Sequence, residues 1–190
     1  PLPIPNRILL DVEPEVRERV CQHLDKFIIA DDVTIEDASD FLTALAVEGP
    51  TAAAAMAAMG APIPEEPYSH VNWNAHIVAR VSSTGEPGFR IFVAREGTAV
   101  LMASLAEAGV VPADNTSARV VRLEHGKPRY GDDIPDPTPP PETQETHARA
   151  LPKGRYNGPG SRGRARARGP VTRACGRTDA RSATGRLRVT

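Results

Sequence analysis

VARVSSTGEPGFRIFV, Val78–Val93, sets two runs rich in β-branched and aromatic residues on either side of a glycine-bearing break. His76–Val81 and Phe89–Val93 read as strands. Ser82–Gly88 reads as a hairpin-type connection, because Gly85 and Gly88 give the backbone the freedom a reversal needs. Two strands joined this way run antiparallel. The sheet of this chain is therefore expected to grow by neighbouring antiparallel strands.

Working outward, Phe41–Val47 reads as a buried strand. Gly49-Pro50 opens an alanine-rich helix from Thr51 to Met59, closed at Gly60, and a Pro-rich loop, Ala61–Pro67, leads back toward His76. Downstream, Glu96–Ala108 is an amphipathic helix ended by Gly109, and Asp114 can cap a further helix running through Arg122 to a stop at Gly126. Near the start, Arg7–Val12 (RILLDV) is a strand candidate. Pro14 then fits a first helical position, with Val16, Val20, Leu24 and Phe27 at helical spacing. Cys21 beside that stripe reads as a small buried hydrophobe rather than a reactive thiol. After Asp31-Asp32, the alternation of Val33, Ile35 and Asp37 with Thr34 and Glu36 suggests one more strand. Strand pairs separated by helices imply an α+β fold, a mostly antiparallel sheet with helices packed on one face. The regular alternation of a doubly wound fold is missing.

Residues 1–134 are expected to form one domain, 135–152 a connection and 153–190 a tail. Pro135, Pro137, Pro139, Pro140 and Pro141 cannot sit inside a helix or a central strand. The tail is dominated by Gly and Arg, has too few apolar residues to bury, and is expected to be disordered. The net charge of −1 hides this contrast: Arg149–Thr190 carries +11 and the preceding residues −12. Eleven arginines in the 42 residues from Arg149 to Thr190 would attract phosphate, but Tyr156 is the sole aromatic there, so base stacking has no support. Nucleic-acid binding is set below a translated error that happens to be basic. No apolar run reaches the ~20 residues of a membrane helix. PLPIPNR has no signal-peptide character, and without an initiator Met it reads as an interior starting point. Two distant cysteines make no disulfide framework, so a cytoplasmic location is expected.

Common catalytic and metal signatures are missing, and the five histidines lack metal-ligand spacing. Asp31-Asp32 and Asp132-Asp133 read as turn residues. Two segments stand out, Val78–Val93 and Ala118–Ile134 (ARVVRLEHGKPRYGDDI). In the first, Glu86 follows the turn glycine. Its carboxylate can accept two parallel N–H bonds from the amino-pyrimidine edge of a pterin. In the second, a helix ends in Arg122-Leu123-Glu124-His125-Gly126 before an extended run to Gly131-Asp132-Asp133-Ile134.

These segments resemble the folate-binding family of the glycine cleavage T-protein (aminomethyltransferase), and most of all its YgfZ-type branch. TGEPGFRIFV is similar to the family's strand-turn-strand, whose glutamate contacts the folate pterin; that role falls on Glu86. Arg122, Glu124, Gly126, Gly131, Asp133 and Ile134 match the family's Arg-x-Glu-x-Gly…Gly-x-Asp-Ile stretch. LDKFIIADDVTIEDAS and ALAVEGPTAAAAM resemble its sheet-and-helix segment, ending at Gly49-Pro50. The likeness spans roughly Ile8 to Arg173, and it implies a GcvT-like folate-binding fold incomplete at both ends.

The branch signature Lys-Gly-Cys-Tyr-x-Gly-Gln-Glu is met by Lys153, Gly154, Tyr156 and Gly158, whereas Arg155 replaces the cysteine and Pro159-Gly160 the Gln-Glu pair. Arg164, Arg166, Arg168 and Arg173 keep register while the apolar positions are lost, which reads as a reading-frame fault. The resemblance implies tetrahydrofolate as ligand, with Glu86 as pterin contact and Arg122, Lys153 and Tyr156 beside it. It implies support of iron–sulfur cluster assembly or repair, with iron–sulfur proteins as partners. The alternative is an enzyme, an aminomethyltransferase moving a one-carbon unit to tetrahydrofolate. Against it stands the expectation that the family's catalytic aspartate falls before Pro1.

Overall fold

The computed structural model describes residues 7–30 and 32–135 together with Thr138 and Thr143. The 153–190 tail, Asp31 and the rest of the Pro-rich connection lie outside the described residues. The chain divides into two units, Pro1–Ala118 and Arg119–Thr190.

In the first unit, β1 (Leu42–Glu48), β2 (His70–Trp73), β3 (His76–Ala79) and β4 (Gly88–Ala94) form one sheet. Its order is β1-β4-β3-β2, and every neighbouring pair is antiparallel. The α+β reading holds. Side chains alternate across a strand, so Phe89, Ile91 and Val93 of β4 share one face and all three are buried. Register extends that row across the sheet: Leu45 and Val78 both flank Ile91, and Val71 pairs with Val78.

Helices supply the other half of this core. α2 (Ala52–Ala58) buries Ala52 and Met56, and α3 (Thr98–Glu107) buries Leu101 and Leu105. These join Val47, Val78 and the β4 row in a single cluster. α3 stops where Gly109 takes φ +83°, a conformation that costs other L-residues. α4 (Asn115–Glu124) starts where Asp114 Oδ1 accepts the Ser117 N–H at 2.7 Å, the expected cap.

The N-terminal segment corrects the sequence reading. Residues 7–13 form no strand: Ile8 is 89% exposed, and Asp11 is tied to Arg90 of β4 by a side-chain ion pair rather than by a backbone ladder. Residues 33–37 form none either. Val33 is 56% exposed, Glu36 pairs with Arg7, and Asp37 pairs with Arg17 and accepts the Ser39 N–H, so side-chain bonds rather than a backbone ladder hold this stretch. The expected helix exists as α1 (Arg17–Asp25), led by a 3-10 turn at Pro14–Val16. It buries no residue, Leu24 and Phe27 are exposed, and Cys21 is half-buried rather than buried. Conversely, nothing in the sequence announces β2. It is a short strand with two inward apolar residues, Val71 and Trp73. It reaches β3 through Asn74-Ala75, with Asn74 in the left-handed region that Asn tolerates.

Candidate functional site

The loop of residues 82–87 joins β3 to β4 and is fastened by one side chain from β1. Glu48 closes β1, opposite Gly88 in the sheet register. Its Oε1 accepts the Ser83 N–H at 2.9 Å and the Ser83 hydroxyl at 2.8 Å. Its Oε2 accepts the Thr84 N–H at 2.9 Å, the Ser82 hydroxyl at 3.0 Å and the Thr84 hydroxyl. Burial opposes the charge of Glu48, but the bonds from Ser83 and Thr84 outweigh it and hold the carboxyl below the usual glutamate range.

Two glycines make this approach possible. A Cβ on Gly88 would stand 2.7 Å from Glu48 Cγ, so the carboxylate passes over a position where a side chain does not fit. On the other side, the Gly49 N–H donates to Pro87 O at 2.9 Å and fastens the far end of the loop. Within the loop, the Gly85 N–H donates to Ser82 Oγ at 2.9 Å and the Glu86 N–H to Thr84 Oγ1 at 3.4 Å. Glu86 is half-buried in this braced turn.

An open cleft of about 410 Å³ lies beside Glu48, walled by Val47, Thr51, Ala52, Ala55 and Val110 among others. Glu48 is the sole charged residue among those lining it, and its carboxylate is committed to the loop.

In the second unit, Arg122 is 6% exposed. Its guanidinium donates to Lys127 O at 2.7 Å, to Asp132 Oδ2 at 3.3 Å and to Asp133 Oδ2. Asp133 also accepts the Arg129 N–H at 3.0 Å. Burial pushes the Asp133 carboxyl up, while the Arg129 and Arg122 bonds and the Arg122 and Arg119 charges bring it below the usual range. The pair Asp132-Asp133 thus does more than shape a turn. It neutralises a buried arginine at the end of α4.

Of the four residues that the sequence singles out for folate, Glu86 belongs to the first unit and Arg122 to the second, while Lys153 and Tyr156 lie outside the described residues. Sequence reasoning misses Glu48. Its partners are 34 to 36 residues away in the chain, and no local pattern announces them. Among the described residues, no cluster of His, Cys, Asp or Glu could hold a metal ion, and no helix is long and apolar enough to cross a membrane.

Comparison with known proteins follows the same segments. The family model described as GCVT N-terminal domain matches residues 5–148. An aminomethyltransferase of Nitrosomonas eutropha is 35% identical over 122 residues, 60% of this chain and 32% of that protein. One from Chloroherpeton thalassium is 32% identical over 138 residues, 67% of this chain and 38% of that protein. The solved structure of the glycine cleavage system aminomethyltransferase T from Bartonella henselae superposes with a TM-score of 0.68 at 25% identity, over 82% of this chain and 44% of that one. The chain spans 32% to 38% of the length of these two curated relatives.

Proposed function

The chain belongs to the GCVT N-terminal domain family, and from that premise we propose that it carries the pterin-contacting part of a tetrahydrofolate-dependent aminomethyltransferase. The observation that carries this reading is the Thr84-Gly85-Glu86 turn, braced by Glu48 at one end and by Gly49 at the other. A carboxylate set on a braced turn accepts two parallel N–H bonds from a pterin edge with little left to order on binding. Glu86 is that carboxylate. Arg122, held by Asp132, Asp133 and Lys127 O, supports folate binding by keeping its own turn in shape. Lys153 and Tyr156 are assigned to folate by the match of their signature block alone. The methylene of an aminomethyl carrier becomes bonded to nitrogen of the bound tetrahydrofolate, its bonds to the amine and to the carrier break, and ammonia and the free carrier leave.

A second reading, folate binding in support of iron–sulfur cluster assembly or repair, is favoured by the spacing of Lys153, Gly154, Tyr156 and Gly158. It stands behind the first, because the relatives are named aminomethyltransferase. One-carbon transfer from an aminomethyl carrier to tetrahydrofolate, assayed with the complete protein, separates the two.

Isothermal titration with tetrahydrofolate tests the site itself. Glu86→Ala is expected to weaken binding by about 1.5–3 kcal/mol, the range of a charge-assisted hydrogen bond. Equal affinity of the two proteins would remove Glu86 from the site.

A further inference from the structure

We infer that Glu48 is a positioning residue for folate: its carboxylate orders the 82–87 loop and so fixes the direction in which Glu86 meets the pterin. The inference rests on the folate reading above and adds to it a residue that touches no ligand. Two backbone donors carry the argument. The Ser83 N–H goes to Oε1 and the Thr84 N–H to Oε2, so consecutive peptide groups are held by different oxygens of one carboxylate. A backbone N–H can only donate. An amide side chain would turn an NH₂ toward one of the two, which leaves that peptide opposed by another donor. A carboxylate is therefore the group that fits, and its short reach past Gly88 fixes where the loop can go. The order it imposes passes directly to Glu86. The Thr84 hydroxyl that binds Oε2 also accepts the Glu86 N–H, and the Ser82 hydroxyl that binds Oε2 accepts the Gly85 N–H.

Two measurements on the 190-residue chain decide this. The first is a double-mutant cycle read by tetrahydrofolate titration. Glu48→Gln is expected to raise the dissociation constant about tenfold when Glu86 is present, and less than twofold when combined with Glu86→Gln. An equal loss in both backgrounds, or no loss in either, overturns the inference. The second is the pair of Ser83 and Thr84 amide proton resonances. Glu48→Ala should shift both, and Glu48→Gln only one, because the glutamine oxygen still serves one donor. If neither moves, the clamp is refuted whatever the affinities. Should the Glu48 variants fail to fold, Thr84→Val removes one hydroxyl at constant shape. It should give a loss of about threefold that likewise vanishes in the Glu86→Gln background; a loss that persists there counts against the inference. No tetrahydrofolate binding by the unsubstituted chain would overturn the folate reading and the ligand half of this inference. The ordering of the loop is then judged on the two resonances alone.

Discussion

A half-buried carboxylate with five donors around it makes the fold sensitive to acid. Burial raises the pKa of Glu48 and the Ser83 and Thr84 bonds lower it further than that, so its folded value lies below its unfolded value. Such a group contributes stability that is present above the unfolded pKa, about 4.3 for glutamate, and lost as pH falls through the folded value. Asp133 has the same sign. The urea midpoint of the chain should therefore drop between pH 7 and pH 3, and Glu48→Gln should flatten that drop while lowering the midpoint at pH 7. A pH profile unchanged by the substitution would count against this account. At this scale the turn that carries Glu86 is legible in the sequence, because Thr84-Gly85-Glu86 is contiguous. Glu48 is not, because its meaning depends on strand pairing that brings Ser82, Ser83 and Thr84 beside it.

Elements announce themselves where local chemistry and burial agree. β1 and β4 carry mostly apolar runs, broken only by Thr43 and Arg90 before β1 closes on Glu48. Both face the core, β4 with three buried side chains and β1 with Val47, so their sequence alone places them within a residue or so. α3 and α4 are bounded by their own punctuation, Gly109 and Asp114. The strand expected at residues 7–12 has a strand-like composition, but it is tied to the sheet through the Asp11–Arg90 side-chain pair and not through a ladder. β2 fails in the opposite way, since four residues with polar neighbours gain their structure from β3 rather than from propensity. Gly109 offers a test at this level. With open space around it and φ at +83°, Gly109→Ala meets backbone strain and no clash. It should cost about 1–2 kcal/mol by urea unfolding; no change would mean the turn after α3 can re-form with another backbone.

For the first unit as a whole, stability is concentrated in few side chains. Met56 of α2 is fully buried in the core it shares with the sheet, and Ile91, Val78 and Val93 are equally inaccessible. With aromatics at 4% of the sequence, large side chains to fill a gap are scarce. Met56→Ala should therefore cost about 2–5 kcal/mol, read as a fall in the denaturation midpoint, whereas truncating exposed Val100 to Ala should leave the midpoint nearly unchanged. Similar losses at both positions would contradict the assigned core.

The strand order also dictates when the unit can close during synthesis. Among the described residues, β4 is the last of the four strands in chain order, and it sits between β1 and β3. While the nascent chain lengthens, β2 and β3 can meet across Asn74-Ala75, but among the described residues β1 pairs only with residues 88–94 and waits for them to leave the ribosome. The same moment brings Glu48 opposite Gly88. The loop bearing Glu86 is thus braced in the very step that completes the sheet, and a chain cut short before β4 has neither the β4 row of the core nor the braced loop.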